Sequence, residues 1–282
     1  MAVLIDGRRI AAKIKDEIKA KVSEMEIKPC LAVIIAGEDP ASLIYIRDKR
    51  IACEYTGIKF MLFELPETTP ENEAVELVMK LNRDPEVDGI LFQQPFPVHY
   101  GDEKILLSID PAKDVDCLHP YNAGLLSVGK PFFLPGTPAG IIMLLKRTGI
   151  EIAGKRCVVV GRSNIVGKPV SALLLMENAT VTTCHSKTRD LPEICRTADI
   201  LVAAVRKPGF ITGDMIKEGA AVIDVGIHSL GGKKRCGDVD FASCEKKAGY
   251  ITSVPGGVGP MTVAMLMENC LKASALKNGR PA

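Results

Sequence analysis

A chain of 282 residues with 47% apolar and 25% charged side chains is long enough for two ordinary domains and too apolar to be disordered. Its formal net charge of +2 gives no electrostatic case for nucleic acid or a membrane surface, so neither is an expected partner. Arg8, Arg9, Lys13 and Lys15 interrupt any N-terminal apolar run, and no stretch of about 18 apolar residues occurs. No signal peptide or membrane span is therefore expected, and the cytoplasm is the expected compartment.

Leu31–Ala36 is a short apolar run and predicts a strand. Ala41–Tyr55 predicts a helix, with Asp39 as N-cap, Pro40 in the first turn and Gly57 past the end. Strand-like Ile58–Leu65 follows, then helical Glu71–Asn82 (Thr69 as cap, Pro70 first) and strand-like Val87–Phe92. From Gln93 to Pro138 prolines and glycines recur, which predicts loop, the part of an α/β protein that carries ligands. Helical Ala139–Thr148 ends at Gly149. A second series then alternates strands Cys157–Val160, Ala179–Cys184, Ile200–Val205 and Ala220–Val225 with helices Lys168–Glu177 and Leu191–Arg196 and a short segment at Asp214–Lys217. The last helix, Met261–Ala275, follows a glycine-proline turn. Two such series predict an α/β fold of two domains, each with a mostly parallel sheet, separated by a cleft, with the boundary near residues 118–140. The nine cysteines are odd in number and contain no C-x-x-C pair, so reduced core thiols are expected.

Val158-Val159-Val160-Gly161-Arg162-Ser163-Asn164-Ile165-Val166-Gly167 reads as a buried strand, a tight turn and a helix start that offers free N–H groups to an anion. Ser163 stands where the second glycine of G-x-G-x-x-G would be, so a plain structural turn remains an alternative. A P-loop is excluded by the spacing of Gly161 and Gly167 and by Pro169 in place of the magnesium-binding Ser or Thr. After the next strand, His185-Ser186-Lys187-Thr188-Arg189 contains no carboxylate for a ribose hydroxyl. Arg162 and Ser186 suit a 2′-phosphate, so NADP is preferred over NAD; a solvated basic loop would read the same way.

Ser42, Tyr45 and Lys49 share one helix face. A lysine there can transfer protons if burial lowers its pKa, although an exposed amphipathic face has the same spacing. Gln93 and Asp116 follow strand ends where ligand contacts belong. His99, His119, His185 and His228 are scattered, so no metal site is expected, and no G-x-S-x-G marks a serine hydrolase.

These segments together resemble the bifunctional methylenetetrahydrofolate dehydrogenase/methenyltetrahydrofolate cyclohydrolase (FolD) family over nearly the whole chain. The resemblance rests on Ser42-x-x-Tyr45-x-x-x-Lys49, Gly89-Ile90-Leu91-Phe92-Gln93, Lys113-Asp114-Val115-Asp116, Asn122-x-Gly124, Gly161-Arg162-Ser163-x-x-Val166-Gly167 and, most specifically, Val254-Pro255-Gly256-Gly257-Val258-Gly259-Pro260-Met261-Thr262. It implies a homodimer acting on tetrahydrofolate derivatives. Residues 1–120 would form a folate-binding catalytic domain, with helix 261–282 packing back on it, and residues 140–260 a Rossmann-type NADP-binding domain. It implies Lys49 as general acid/base of the cyclohydrolase step, Tyr45 packing on the folate, Gln93 supporting the lysine and Asp116 binding the pterin. Pro255, Gly256 and Gly257 would line the folate pocket, and Gly161, Arg162, Ser163, Ser186 and Ile227 would contact NADP.

Several positions depart from the family pattern: Gln94, Cys117, Gly136, Arg206, His228 and Ser253. Cys117 and Arg206 replace usual glycines. A glycine at 206 would let the backbone approach the cofactor, and a long cation there would either crowd the dinucleotide or add a phosphate contact. A relative with an impaired dehydrogenase and an intact cyclohydrolase is therefore the alternative. A non-catalytic nucleotide-binding protein is disfavoured, because Lys49, Gln93 and Asp116 are all present.

Overall fold

The structure, a computed structural model, describes residues 1–232 and 234–277. Residues 278–282, the end of the expected final helix, lie outside the described residues. The chain runs through β1 (Val3–Ile5), α1 (Gly7–Ser23), β2 (Cys30–Ala36), α2 (Pro40–Thr56), β3 (Lys59–Leu65), α3 (Glu71–Arg83), β4 (Gly89–Phe92), α4 (Asp102–Ser108), α5 (Pro120–Ser127) and α6 (Gly136–Thr148). It continues through β5 (Arg156–Val160), α7 (Gly167–Met176), β6 (Thr180–Cys184), α8 (Leu191–Cys195), β7 (Ile200–Ala203), a 3-10 turn (Gly213–Met215) and β8 (Ala221–Asp224). Last come β9 (His228–Ser229), β10 (Arg235–Cys236), α9 (Phe241–Cys244), β11 (Tyr250–Thr252) and α10 (Val258–Lys277). Two compact units result: Lys13–Pro135 with the chain from Val263 onward, and Met1–Ala12 with Gly136–Thr262.

In the Lys13–Pro135 unit, β2 lies between β3 and β4, all parallel, with Ile34 beside Phe63 on one side and Phe92 on the other. β2 is a continuous apolar run because both of its faces are covered, and Leu31 through Ile34 are wholly buried. Asp39 starts α2 by accepting the Ser42 amide at 2.8 Å, Pro40 occupies the first turn, and Gly57 at φ 80° closes the helix. Ala74, Val78 and Leu81 of α3 pack with Ile34, Ile90 and Phe92, each large side chain contributing about 1.5–3 kcal/mol of burial. Pro70, not Thr69, occupies the cap position of α3, without a side-chain cap bond. The expected loop from Gln93 to Pro138 contains α4, α5 and the first turn of α6. Pro120 begins α5 instead of breaking it, because the first helical residue needs no N–H donor.

The other unit holds six parallel strands in the order β1-β11-β8-β7-β5-β6. Counted within the second series, β6-β5-β7-β8-β11 is a 2-1-3-4-5 doubly wound sheet, with its topological switch point between β5 and β7. β1 pairs with β11, so Met1–Ala12 clusters with this unit, whereas the sequence reading placed it in the first domain. The core joins Val158, Val160, Leu201, Ala203, Val222 and Ile251 from the strands to Ile211 and Ile216.

All nine cysteines are free, and only Cys236 is partly exposed. Burial pushes the Cys53, Cys157 and Cys195 thiols up to about 12, which makes them inert packing groups at neutral pH. Among the described residues no helix is long and apolar enough to cross a membrane.

Candidate catalytic and dinucleotide-binding sites

On α2, the Ser42–Tyr45–Lys49 stripe divides into three roles. Ser42 is buried, and its hydroxyl donates to Asp39 Oδ2 at 2.8 Å and to the Gln94 carbonyl at 3.3 Å. It therefore ties the helix start to the segment leaving β4. Tyr45 is 47% exposed, with its ring free to meet a ligand. Lys49 is half-buried, and its Nζ donates to Gln93 Oε1 at 2.5 Å. Gln93 Nε2 donates in turn to the Gln94 carbonyl at 2.7 Å, which fixes the amide with its oxygen towards the lysine. Burial pulls the Lys49 pKa below the ordinary lysine value, and the negative charge of Asp116 partly opposes that shift. A lysine that loses its proton more readily than usual can act as a base.

Asp116 is set by a loop whose other polar groups are already committed. Asp114 is buried and accepts from the amides of Leu118 (3.2 Å) and His119 (2.9 Å) and from Asn122 Nδ2 (2.8 Å). Asn269 of α10 donates to the carbonyls of Val115 and Leu134, both at 2.8 Å. The Asp116 carboxyl has no hydrogen-bond partner among the described residues; burial raises its pKa and the Lys49 charge opposes. It is the group left available for a ligand. Cys117 has φ 59°, so the usual glycine there answers a left-handed backbone and not a need for space at the site. Its thiol donates to the Phe133 carbonyl. Sequence reading singled out Asp116, quoted Asp114 only as part of a motif, and missed Asn269, whose partners here are backbone carbonyls.

Pro255, Gly256 and Gly257 belong to the other unit. The Gly257 amide donates to the Ser253 carbonyl at 2.9 Å, and Arg8 N donates to the Gly256 carbonyl at 3.0 Å, so the turn packs on the start of α1. A Cβ on Gly7 would lie 1.8 Å from Gly257 O. α10 starts at Val258, within the turn, and not at Met261.

At the dinucleotide turn, Gly161 has φ 137°, and a Cβ there would lie 2.2 Å from Ala204 O. A Cβ on Gly167 would lie 2.2 Å from Gly161 O, so α7 rests directly on the turn after β5. Ser163 Oγ accepts from the Val166 and Gly167 amides at 3.2 and 3.3 Å, which explains why the turn closes without the second glycine. Arg162 and Ser186 are exposed, with no side-chain partner among the described residues, and Ile227 is half-exposed. The two close-packed glycines, the helix start and the carboxylate-free segment after β6 fit a dinucleotide phosphate ligand.

Asp238 is an organising group that sequence reading overlooked. Fully buried, it accepts from the amides of Val205 (2.6 Å), Arg206 (3.1 Å) and Lys207 (2.8 Å) and contacts His228 Nε2 at 2.8 Å. Asp224 accepts from the Gly226, Asp238 and Val239 amides, and burial raises its pKa to about 6. Asp224 at the end of the apolar run Ala221–Asp224, two residues before Gly226, and Asp238 directly after Gly237 are the available sequence signal, since buried acids require donors. Arg206 has φ 57°. As at Cys117, the usual glycine meets a backbone requirement. The amides here face Asp238, so the main chain is not what would meet a cofactor.

Residues 5–116 match the family model described as tetrahydrofolate dehydrogenase/cyclohydrolase, catalytic domain, and residues 135–278 match that family's NAD(P)-binding domain. The chain belongs to the tetrahydrofolate dehydrogenase/cyclohydrolase family. A bifunctional protein FolD from Agathobacter rectalis is 58% identical over 97% of this chain and 99% of its own length. A crystal structure of the bifunctional FolD enzyme from Campylobacter jejuni is 46% identical with a TM-score of 0.96, covering 98% of this chain and 99% of that one. The Trypanosoma brucei FolD structure, solved with NADP cofactor and inhibitor, is 41% identical with a TM-score of 0.93, covering 96% and 97%. Lys49, Gln93 and Asp116 fall within the tetrahydrofolate dehydrogenase/cyclohydrolase catalytic domain, and Gly161, Arg162, Ser163, Ser186 and Ile227 within its NAD(P)-binding domain.

Proposed function

We propose that this chain oxidises 5,10-methylenetetrahydrofolate with NADP to 5,10-methenyltetrahydrofolate and hydrolyses that product to 10-formyltetrahydrofolate. The observation that carries the reading is Lys49, half-buried with a lowered pKa and held at 2.5 Å by Gln93.

NADP, when bound, supplies the hydride acceptor for the one-carbon bridge. Gly161, Arg162, Ser163, Ser186 and Ile227 hold the cofactor, with Arg162 and Ser186 on the 2′-phosphate. Tyr45 packs on the folate and Asp116 hydrogen-bonds its pterin ring; Pro255, Gly256 and Gly257 are further substrate contacts. In the second step water adds to the methenyl carbon and gives up a proton to neutral Lys49. The protonated lysine returns that proton to N5 as the C–N5 bond breaks, and the remaining hydroxyl proton leaves to solvent as the carbonyl of the N10 formyl group forms. Gln93 keeps the ammonium and amine forms in one place, so both transfers use the same atom.

The protein acts as a homodimer in the cytoplasm. The αL geometry at Arg206 explains its usual glycine without invoking cofactor crowding, which removes the reason for an impaired dehydrogenase. Supplying 5,10-methylenetetrahydrofolate with NADP or NAD, and following reduced cofactor and methenyl absorbance together, tests the reading. Reduced cofactor with transient methenyl absorbance is expected. Absence of both signals contradicts it, and methenyl hydrolysis without cofactor reduction restores the impaired-dehydrogenase alternative.

A further inference from the structure

Arg206 is a left-handed residue that is not glycine, three residues past the end of β7 at the switch point of the doubly wound sheet. A non-glycine residue in that region is strained and persists only where its surroundings over-determine it. Here Asp238 supplies that constraint through the amides of residues 205, 206 and 207. With the main chain clamped from the protein side, the side chain is exposed and has no partner among the described residues.

The neighbouring cations differ. Lys168 is held by Asn164 Oδ1 at 2.8 Å, and Lys207 lies over the Phe210 ring. Among the described residues bordering the ends of β5 and β7, the cationic side chains left without a partner are Arg162 and Arg206. They follow adjacent strands whose ends pack together: Ala204 N donates to Val160 O at 2.8 Å, and a Cβ on Gly161 would lie 2.2 Å from Ala204 O.

We propose that Arg206 is a cofactor-binding residue that contacts the pyrophosphate, and that this chain has gained a second cation at its dinucleotide crevice. The assignment rests on the NADP reading above. In a doubly wound sheet the pyrophosphate lies over the first strand's turn and the following helix start, here Gly161 to Gly167. The ribose bearing the 2′-phosphate is read by the loop after the outer neighbouring strand, here β6 with Ser186. Arg206 follows β7, on the other side of β5, so it reaches the group that NADP and NAD share. Arg162 and Arg206 therefore differ in what they discriminate.

Isothermal titration calorimetry of NADP and of NAD, on the unsubstituted chain and on Arg206→Asn and Arg206→Gly, tests this without turnover. Asparagine and glycine both accept φ 57°, so loss of charge is separated from added flexibility. The expected result is a Kd raised about tenfold for both cofactors in both variants, with the NADP/NAD ratio unchanged and circular dichroism unaltered. Unchanged affinities, or tighter binding, overturn the proposal, the second by showing that Arg206 crowds the site. A loss confined to NADP overturns the pyrophosphate assignment. Failure of the unsubstituted chain to bind either cofactor overturns the NADP reading itself and this proposal with it.

Discussion

Lys49 Nζ donates to Gln93 Oε1 at 2.5 Å, which joins the middle of α2 to the residue that follows β4. The two residues lie 44 positions apart, and parallel pairing of β2 with β4 brings them together. The contact holds the lysine without supplying a negative charge. Burial therefore lowers the Lys49 pKa, and Asp116 is the main opposing influence.

That balance fixes the sign of one pH effect. Asp116→Asn removes the charge that raises the Lys49 pKa, so the lysine deprotonates at lower pH. The acid limb of the cyclohydrolase kcat/KM profile is expected to move to lower pH in this variant, even as the rate falls through the lost pterin contact. Measurement of kcat/KM across pH 5 to 9 checks it, and a limb that stays put or moves up would show that Asp116 does not tune Lys49.

Arg162 tests cofactor choice. Its side chain is exposed beside the turn after β5, with no partner to release on substitution. Arg162→Ala should weaken NADP about tenfold or more while NAD affinity changes little, as for loss of a charge-assisted phosphate contact. Equal losses for the two cofactors would remove the 2′-phosphate role.

Asp238→Ala strips the Val205, Arg206 and Lys207 amides of their acceptor and leaves His228 without its partner. Three part-buried donors left unsatisfied cost about 1–3 kcal/mol together. Chemical denaturation should show that loss, together with weaker cofactor binding, because the loop after β7 is no longer clamped. A variant as stable as the parent would mean the amides find other acceptors.

How much of this was visible in the sequence depended on how local the interaction is. α2 was legible because Asp39, Pro40 and Gly57 lie beside the turns they control. β2 and β4 were legible because strands buried on both faces are continuous apolar runs. The docking of β1 against β11 was not, since Val3 and Tyr250 pair across almost the whole chain. α4 and α5 were hidden by prolines and glycines that mark helix starts as readily as loops. Lys49, Gln93 and Asp116 were found as residues and the resemblance implied that Gln93 supports the lysine, but the direct hydrogen bond and its geometry needed the fold. Cys117 and Arg206 were noticed as replacements of glycine, yet the left-handed backbone that explains both is a property of coordinates. Asp238 escaped because its amide partners lie 31 to 33 residues away.

The central claim is that one chain performs both steps, with Lys49 serving the second. The direct measurement is Lys49→Met supplied with 5,10-methylenetetrahydrofolate and NADP, with reduced cofactor, methenyl and 10-formyl products followed together. Reduced cofactor should still form, methenyltetrahydrofolate should accumulate, and enzymatic formation of the 10-formyl product should fall by about 10²- to 10⁴-fold, the usual contribution of a general acid/base. Formation of 10-formyltetrahydrofolate at the parent rate would contradict the account.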